Sequence, residues 1–322
     1  MPARLPIRAL KCGRKLRLGQ RLSLVRSLLC IVFGLVCMGF GKRGQGAFEY
    51  ILLIGGLLMV VAIILLSVQT VSSTSISQVG KYCPPTDMGQ FSQGLAGSWH
   101  FDEGGGTVAV DSSGNGNNAV LVGNTNPPNW VPGVMGQAVG FSSANGARVW
   151  IPYSASLVIT QQITFGGWMY KDNWQTAPAK ANYLVSKRQN GGYGIRVSAT
   201  AIEAWLYRNG GYATPYPSFS TTGLAAGWHH IFATYDGRYT KLYVDGDLKA
   251  TNDAGGQYAI AYSAPGDSVF IGHDADGNND NIPDTANGDY FDGKIDEVKI
   301  YSRALSQAEI RADMTCLPRK GI

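Results

Sequence analysis

Residues 230–246 read HIFATYDGRYTKLYVDG. Two runs rich in aromatic and β-branched residues, His230–Tyr235 and Tyr239–Val244, are each followed by an Asp-Gly pair, Asp236-Gly237 and Asp245-Gly246. Asp-Gly between such runs is a hairpin signal, because glycine reaches positive φ without strain and aspartate tolerates it. The spacing predicts consecutive antiparallel strands joined by two-residue turns. Further short runs bounded by turn residues predict strands at Gly97–Phe101, Val149–Ile151, Thr164–Tyr170, Gly194–Val197, Glu203–Tyr207, Val269–Ile271 and Lys294–Tyr301. After the last of these, Ser306 followed by Glu309 forms a capping box and predicts a short helix. Many close-spaced strands without long helices predict an all-β sandwich or jelly roll over roughly residues 95–314.

The composition agrees. The 322-residue chain has 42 glycines and 11% aromatics, with only 15% charged residues; that balance excludes a helical bundle. The formal charge of +5 belongs to the front of the chain. Residues 1–44 hold ten Lys/Arg and no acidic residue, which leaves 17 Lys/Arg against 22 Asp/Glu, or −5, for the remainder. A basic nucleic-acid-binding face is therefore not expected. The cationic stretch and the apolar run Leu28–Phe40 have the layout of an export signal. A second apolar run follows at once, and a start at Met38 would explain this economically, leaving a short basic leader.

Ala47–Val68 is apolar apart from Glu49, Ser67 and the Tyr50 hydroxyl. As a helix these 22 residues would span roughly 33 Å, enough for a bilayer core. A Ser/Thr-rich stretch to Ser77 and then Pro84-Pro85 read as stalk and linker. The expected organisation is a leader at 1–44, a hydrophobic helix and linker at 45–83, and a β domain at 84–322. Cys83 and Cys316 bracket the strand motifs of that domain; in an exported chain they read as one disulfide, the alternative being two separate thiols.

The run Lys42-Arg43-Gly44-Gln45-Gly46-Ala47-Phe48-Glu49-Tyr50 resembles the class III signal peptide of archaeal type IV-like pilins. The resemblance implies cleavage by a membrane peptidase between Gly44 and Gln45, with Glu49 as the fifth mature residue. A carboxylate inside an apolar helix needs a partner, and the new amine of Gln45 on a neighbouring subunit would supply one during assembly. The implied partners are the class III signal peptidase, the membrane before assembly, and further copies of the chain in a helical filament.

Separated motifs resemble the laminin-G-like, concanavalin-type jelly roll. They are Gly97–Glu103, Asp111-Ser112-Ser113-Gly114-Asn115-Gly116-Asn117-Asn118, Ala138–Phe141, Ile163–Trp168, Gly227–His230, Leu242–Gly246 and Gly293–Tyr301. That superfamily often holds a structural calcium between an N-terminal loop and the last strand, and the matching positions are Asp102, Asp111 and Asp296. For Asp111 an Asx-turn is the competing reading, and for Asp296 a hydrogen-bonded position near the sheet end. A second acidic segment carries Asp274, Asp276, Asn278, Asp280 and Asp284 around a glycine turn. It resembles the Asp/Asn calcium loops of thrombospondin-type repeats and does not match an EF-hand; the alternative is a solvated loop. Calcium is the cofactor this resemblance implies.

Catalysis is not expected. Asp296 and Glu297 are adjacent and should face opposite sides of a strand, and no Glu-x-Asp-x-x-Glu array or Gly-x-Ser-x-Gly elbow occurs. Tyr183, Tyr193, Trp205, Tyr207, Tyr212 and Tyr216 cluster in sequence. Exposed, they would stack on sugar rings, with Tyr193, Trp205 and Tyr207 as the candidate glycan-binding residues; buried, they would fill the core. The expected function is a surface-filament subunit displaying an adhesive domain. The alternative is a membrane-anchored, carbohydrate-binding lectin or minor adhesin that does not polymerise.

Overall fold

Leu206 and Tyr193 face each other across a strand pair, as do Trp205 and Gly194, and that register decides which aromatics enter the core. A computed structural model describes residues 92–175, 182–187, 191–212, 214–262, 266–274 and 290–315. The leader, Gly44, Gln45, Glu49, Cys83, Cys316, Asp276, Asn278, Asp280 and Asp284 lie outside the described residues. The chain divides into two compact units at Gln78/Val79, and the described residues lie in the second.

Two antiparallel sheets form a sandwich. One comprises β1 (Leu95–Trp99), β4 (Asn129–Pro132), β5 (Gln137–Phe141), β7 (Ile163–Lys171), β13 (Gly227–Tyr235), β14 (Tyr239–Val244), β15 (Asp247–Asp253) and β17 (Gly293–Tyr301). Its order is β15-β14-β13-β7-β17-β5-β4, with β1 also paired to β17. The other comprises β2 (Val108–Ala109), β3 (Ala119–Val122), β6 (Arg148–Ile151), β8 (Asn182–Lys187), β9 (Tyr193–Val197), β10 (Ala201–Arg208), β11 (Gly211–Tyr212), β12 (Ser218–Ser220) and β16 (Val269–Ile271). It runs β11-β10-β9-β8-β16-β6-β3-β2, with β12 beside β10. The inward residues interdigitate as a core that includes Trp99, Phe165, Tyr193, Leu206, Ile231, Val298 and Ile300. Non-directional burial of this apolar area is the main source of stability.

The hairpin stretch behaves in two ways. Asp245 (φ 54°) and Gly246 (φ 76°) form a two-residue turn, with Val244 opposite Asp247, as its composition demands. The Asp236-Gly237 turn is longer than expected. Tyr235 pairs with Thr240, and the Asp236 carboxylate accepts the N–H groups of Arg238 (3.0 Å) and Tyr239 (2.7 Å). That side-chain cap makes the wider loop favourable.

The helix α1 (Gln307–Thr315) begins as the capping box requires. Ser306 N–H donates to Glu309 Oε2 (2.7 Å), and Glu309 N–H donates to Ser306 Oγ (3.3 Å). Its Ile310 joins Phe232, Tyr243, Tyr301 and Leu305 in a smaller apolar cluster. Phe232 and Tyr301 alternate with the core residues of their strands, so this cluster occupies the outer face of the first sheet. Strand β17 carries an irregularity between Asp296 and Lys299, where Glu297 has φ 50°. Ile295 and Val298 both face the core. The extra residue between them puts Asp296 and Glu297 on the same outward side, which corrects the opposite-face expectation for this pair.

Candidate functional site: an aromatic sheet face and an acidic turn

Strand β10 alternates strictly. Ile202, Ala204, Leu206 and Arg208 are buried, whereas Glu203, Trp205 and Tyr207 are partly exposed on the outer face. Tyr212 from β11 and Tyr216 from the following loop join them. The Trp205 indole stacks on Tyr216 (centroids 4.1 Å, planes 10° apart) and lies 5.6 Å from Tyr212. Tyr207 meets Tyr212 edge-on at 5.0 Å. Arg196, across the ladder on β9, sets its guanidinium 5.4 Å from the Trp205 ring centre. Glu203 ties the group together, accepting from Arg196 Nη1 (3.1 Å) and from the Trp205 indole N–H (3.1 Å). The result is a partly exposed wall of rings edged by an ion pair.

Tyr193 does not belong to this face. It is fully buried, packs against Phe165 (5.0 Å), and donates its hydroxyl to the Leu157 carbonyl (3.2 Å). Opposite an inward leucine, it fills the core and cannot touch a sugar. Tyr183 is buried as well. Arg196 and Glu203 were not singled out from sequence, although Glu203 shares the i, i+2 alternation of Trp205 and Tyr207.

The acidic positions also separate. Asp111 lies in a closed set of protein donors. Its Oδ1 accepts Ser98 N–H (3.0 Å) and Ser113 N–H (2.9 Å); its Oδ2 accepts Ser113 Oγ–H (2.8 Å) and Asn117 N–H (2.9 Å). Four donors fill the carboxylate lone pairs. The Ser113 N–H bond, two residues on, is the Asx-turn that the sequence offered for Asp111.

Asp102 and Asp296 each reach the β4–β5 turn. Strands β5 and β1 share one edge of β17, pairing with Gly293–Ile295 and with Val298–Tyr301 respectively. The β4–β5 turn closes the interval between them. Asp296 Oδ2 accepts the N–H groups of Val134 (2.9 Å) and Met135 (3.4 Å), and Asp102 Oδ1 accepts Gln137 N–H (3.0 Å). Gly133 and Gly136 make this approach possible, since a Cβ on either would collide with the Asp296 or the Asp102 carboxylate. Burial, and then the neighbouring Glu297 charge, push the Asp296 pKa up to about 8. The adjacent Glu103 Oε2 is buried with no hydrogen-bond partner among the described residues.

Both carboxylates thus rest on backbone N–H donors, and Asp296 Oδ1 also accepts the N–H of Glu297 (2.8 Å). Among the described residues no three His, Cys, Asp or Glu side chains converge tightly enough to hold a metal alone. Asp274 is buried and accepts Ser186 Oγ–H (2.6 Å).

The family model of the concanavalin A-like lectin/glucanases superfamily matches residues 143–311, more than half of the chain. The protein belongs to that superfamily. A class III signal peptide matches residues 42–65, the segment whose Lys42–Tyr50 run carries the expected cleavage point. No curated protein sequence matches the chain. Among solved structures, similar folds include the binding domain of Paraclostridial Mosquitocidal Protein 1 (15% identity, TM-score 0.54, 70% of this chain and 52% of that one). Others are the binding domain of botulinum neurotoxin serotype G (15%, 0.53, 68% and 50%) and the receptor-binding domain of the botulinum neurotoxin C/D mosaic serotype (17%, 0.51, 69% and 51%). The match spans about half the length of these structures, and at such identities it establishes the fold alone. The signal peptide marks a chain for export and display at the membrane or cell surface, here carrying a lectin-type β domain. Among the described residues no helix is long and apolar enough to cross a membrane.

Proposed function

We propose that the protein is a type IV pilin-like surface subunit whose N-terminal helix assembles into a filament core and whose sandwich domain is displayed outside for adhesion to glycans. The observation that carries this reading is the order of parts: a class III signal peptide at 42–65, which takes in most of the apolar helix-length run Ala47–Val68, and then a lectin-type domain. Gly44/Gln45 is the cleavage point, and Glu49 meets the Gln45 amine of the next subunit. In the dry core of a filament that attraction is strong enough to set axial register.

The domain binds and does not catalyse. Its glycan surface is the wall of Trp205, Tyr207, Tyr212 and Tyr216. Calcium, held by Asp102, Asp296 and backbone carbonyls, neutralises the carboxylate beside Glu297 and pins the β4–β5 turn to the last strand. The aromatic wall supports adhesion independently of assembly, so an anchored, non-polymerising lectin is the second reading. Glycan-array binding separates the uses of the domain: wild-type protein binds a restricted set of sugars, and Trp205→Ala loses at least tenfold in affinity, whereas Tyr193→Phe retains binding. Equal binding by wild type and Trp205→Ala would remove the glycan surface from the account.

A further inference from the structure

Outside the aromatic face and the acidic turn, one cluster of ionisable groups is buried beneath α1, and its Glu297 Oε2 also meets Nδ1 of the partly exposed His100 (2.8 Å). The irregularity in β17 turns both Glu297 and Lys299 to the outer face of the first sheet, where α1 covers them. Lys299 lies between small neighbours, Ser98 on β1 and Gly166 on β7, which leave room for its stem. Its Nζ is 2.7 Å from Asp313 Oδ1 on α1 and 3.6 Å from Glu297 Oε2. The other Asp313 oxygen, Oδ2, is 3.2 Å from His230 Nε2. Lys299 is 5% exposed, Asp313 and Glu297 2%, and His230 0%, and the apolar cluster of Phe232, Tyr243, Tyr301, Leu305 and Ile310 packs beneath the same helix.

A buried ion pair of this kind is a weak source of stability, because desolvation offsets most of the attraction. The geometry is that of a nucleophile, an electrophile and a proton carrier held together away from water. We propose that Lys299 and Asp313 condense into an intramolecular isopeptide bond, with Glu297 relaying the proton and His230 hydrogen-bonding the carbonyl oxygen. The ion pair is the resting state, since Asp313 and Glu297 favour the charged lysine and Lys299 favours the ionised aspartate, against burial in both cases.

Transfer of one proton from Nζ to Oδ1 across the short contact gives a neutral amine and a neutral acid, a form that a low dielectric brings within reach. Nζ then attacks Asp313 Cγ, and negative charge develops on Oδ2 opposite His230. His230 Nδ1 has no partner among the described residues, and burial depresses the ring's pKa, so the neutral ring donates from Nε2. Glu297 takes the second proton from Nζ and returns it to Oδ1, which leaves as water. One C–N bond forms, one C–O bond breaks, and the ammonium's two lost protons leave in the water molecule; no oxidant or cofactor is needed. Effective molarities of about 10⁵–10⁸ M for well-placed intramolecular partners lower the barrier to such a condensation. The bond would fasten the C-terminal helix to the last strand, whether or not the protein forms filaments.

The test is peptide mapping of the full-length purified protein after denaturation, reduction and trypsin. The expected product joins residues 295–303, uncut at Lys299, to residues 312–319, and is lighter than the two separate peptides by one water, about 18 Da. Complete cleavage after Lys299 with a free 312–319 peptide overturns the proposal. Lys299→Arg keeps the ion pair and the fold, as read by near-UV circular dichroism, and yields no joined peptide. Glu297→Gln slows joining in the folded protein; joining at the wild-type rate would refute the proton-relay role of Glu297.

Discussion

Replacing Asp111 with alanine should be among the most damaging single changes in the domain, and the damage should not depend on calcium. The carboxylate holds the Asp111–Asn117 loop against β1. Of its four donors, the Ser98 and Asn117 N–H groups lie in buried hydrogen bonds, while the Ser113 N–H and hydroxyl are nearer solvent. Removing the acceptor strands two buried amides at about 1–3 kcal/mol each, and the two outer bonds add less, so the expected loss is about 3–6 kcal/mol. The loop also carries the Asn117 carbonyl that accepts the Trp99 indole N–H (2.9 Å), so loosening it reaches a fully buried tryptophan. Urea unfolding followed by tryptophan fluorescence, with excess calcium and then with chelator, measures the difference. A loss below about 1 kcal/mol, or one that vanishes on chelation, would refute the reasoning that protein donors alone occupy this carboxylate.

Other outcomes follow from the same geometry. Burial lowers the His229 pKa, but Asp245 (2.8 Å) and the Ala225 carbonyl (3.0 Å) outweigh it and raise it above 6.5, while the same pairing lowers that of Asp245. The pair's stabilisation is therefore complete below pH 6.5 but above the aspartate's ordinary 3.8, and fades as pH rises through the histidine's elevated pKa. The Tm gap between wild type and His229→Asn should shrink at alkaline pH, and a gap that widens there contradicts the assignment. Calcium should raise the Tm of wild type, and Asp102→Ala should abolish that rise; an undiminished rise in the variant moves the ion elsewhere. Replacing Gly44 with a bulky residue should block maturation, seen by intact mass as a retained leader, and unchanged mature mass would oppose cleavage there. Non-reducing peptide mapping should show Cys83 linked to Cys316, and separate alkylation of both would exclude the disulfide.

Strand positions were legible because side-chain chemistry and strand period agree locally. Tyr239–Val244 and Val269–Ile271 occupy the bounds their composition indicates, and the Ser306–Glu309 capping box forms as its spacing requires. Facing was less legible. Tyr193 and Trp205 are both strand aromatics, and only the pairing of Tyr193 with Leu206 sends one inward and the other outward. The irregularity at Glu297 was invisible, since positive φ at a non-glycine residue is imposed by the sheet around it rather than by local preference. That single residue decides whether Asp296 and Glu297 share a side, and with them the acidic turn and the Lys299 cluster. Asp111 shows the remaining limit: an aspartate before Ser-Ser-Gly-Asn serves an Asx-turn or a cation equally well in sequence, and only the count of donors around its oxygens distinguishes them.

In the proposed function a processed class III subunit assembles through its N-terminal helix and displays the sandwich domain. Negative-stain electron microscopy of the sheared surface fraction, with antibody against the β domain, tests it most directly. Labelled filaments from wild type, sharply reduced in Glu49→Ala although the β domain remains folded, are the predicted result. A membrane-retained, unpolymerised wild-type protein, or filament yield unchanged by Glu49→Ala, would contradict it.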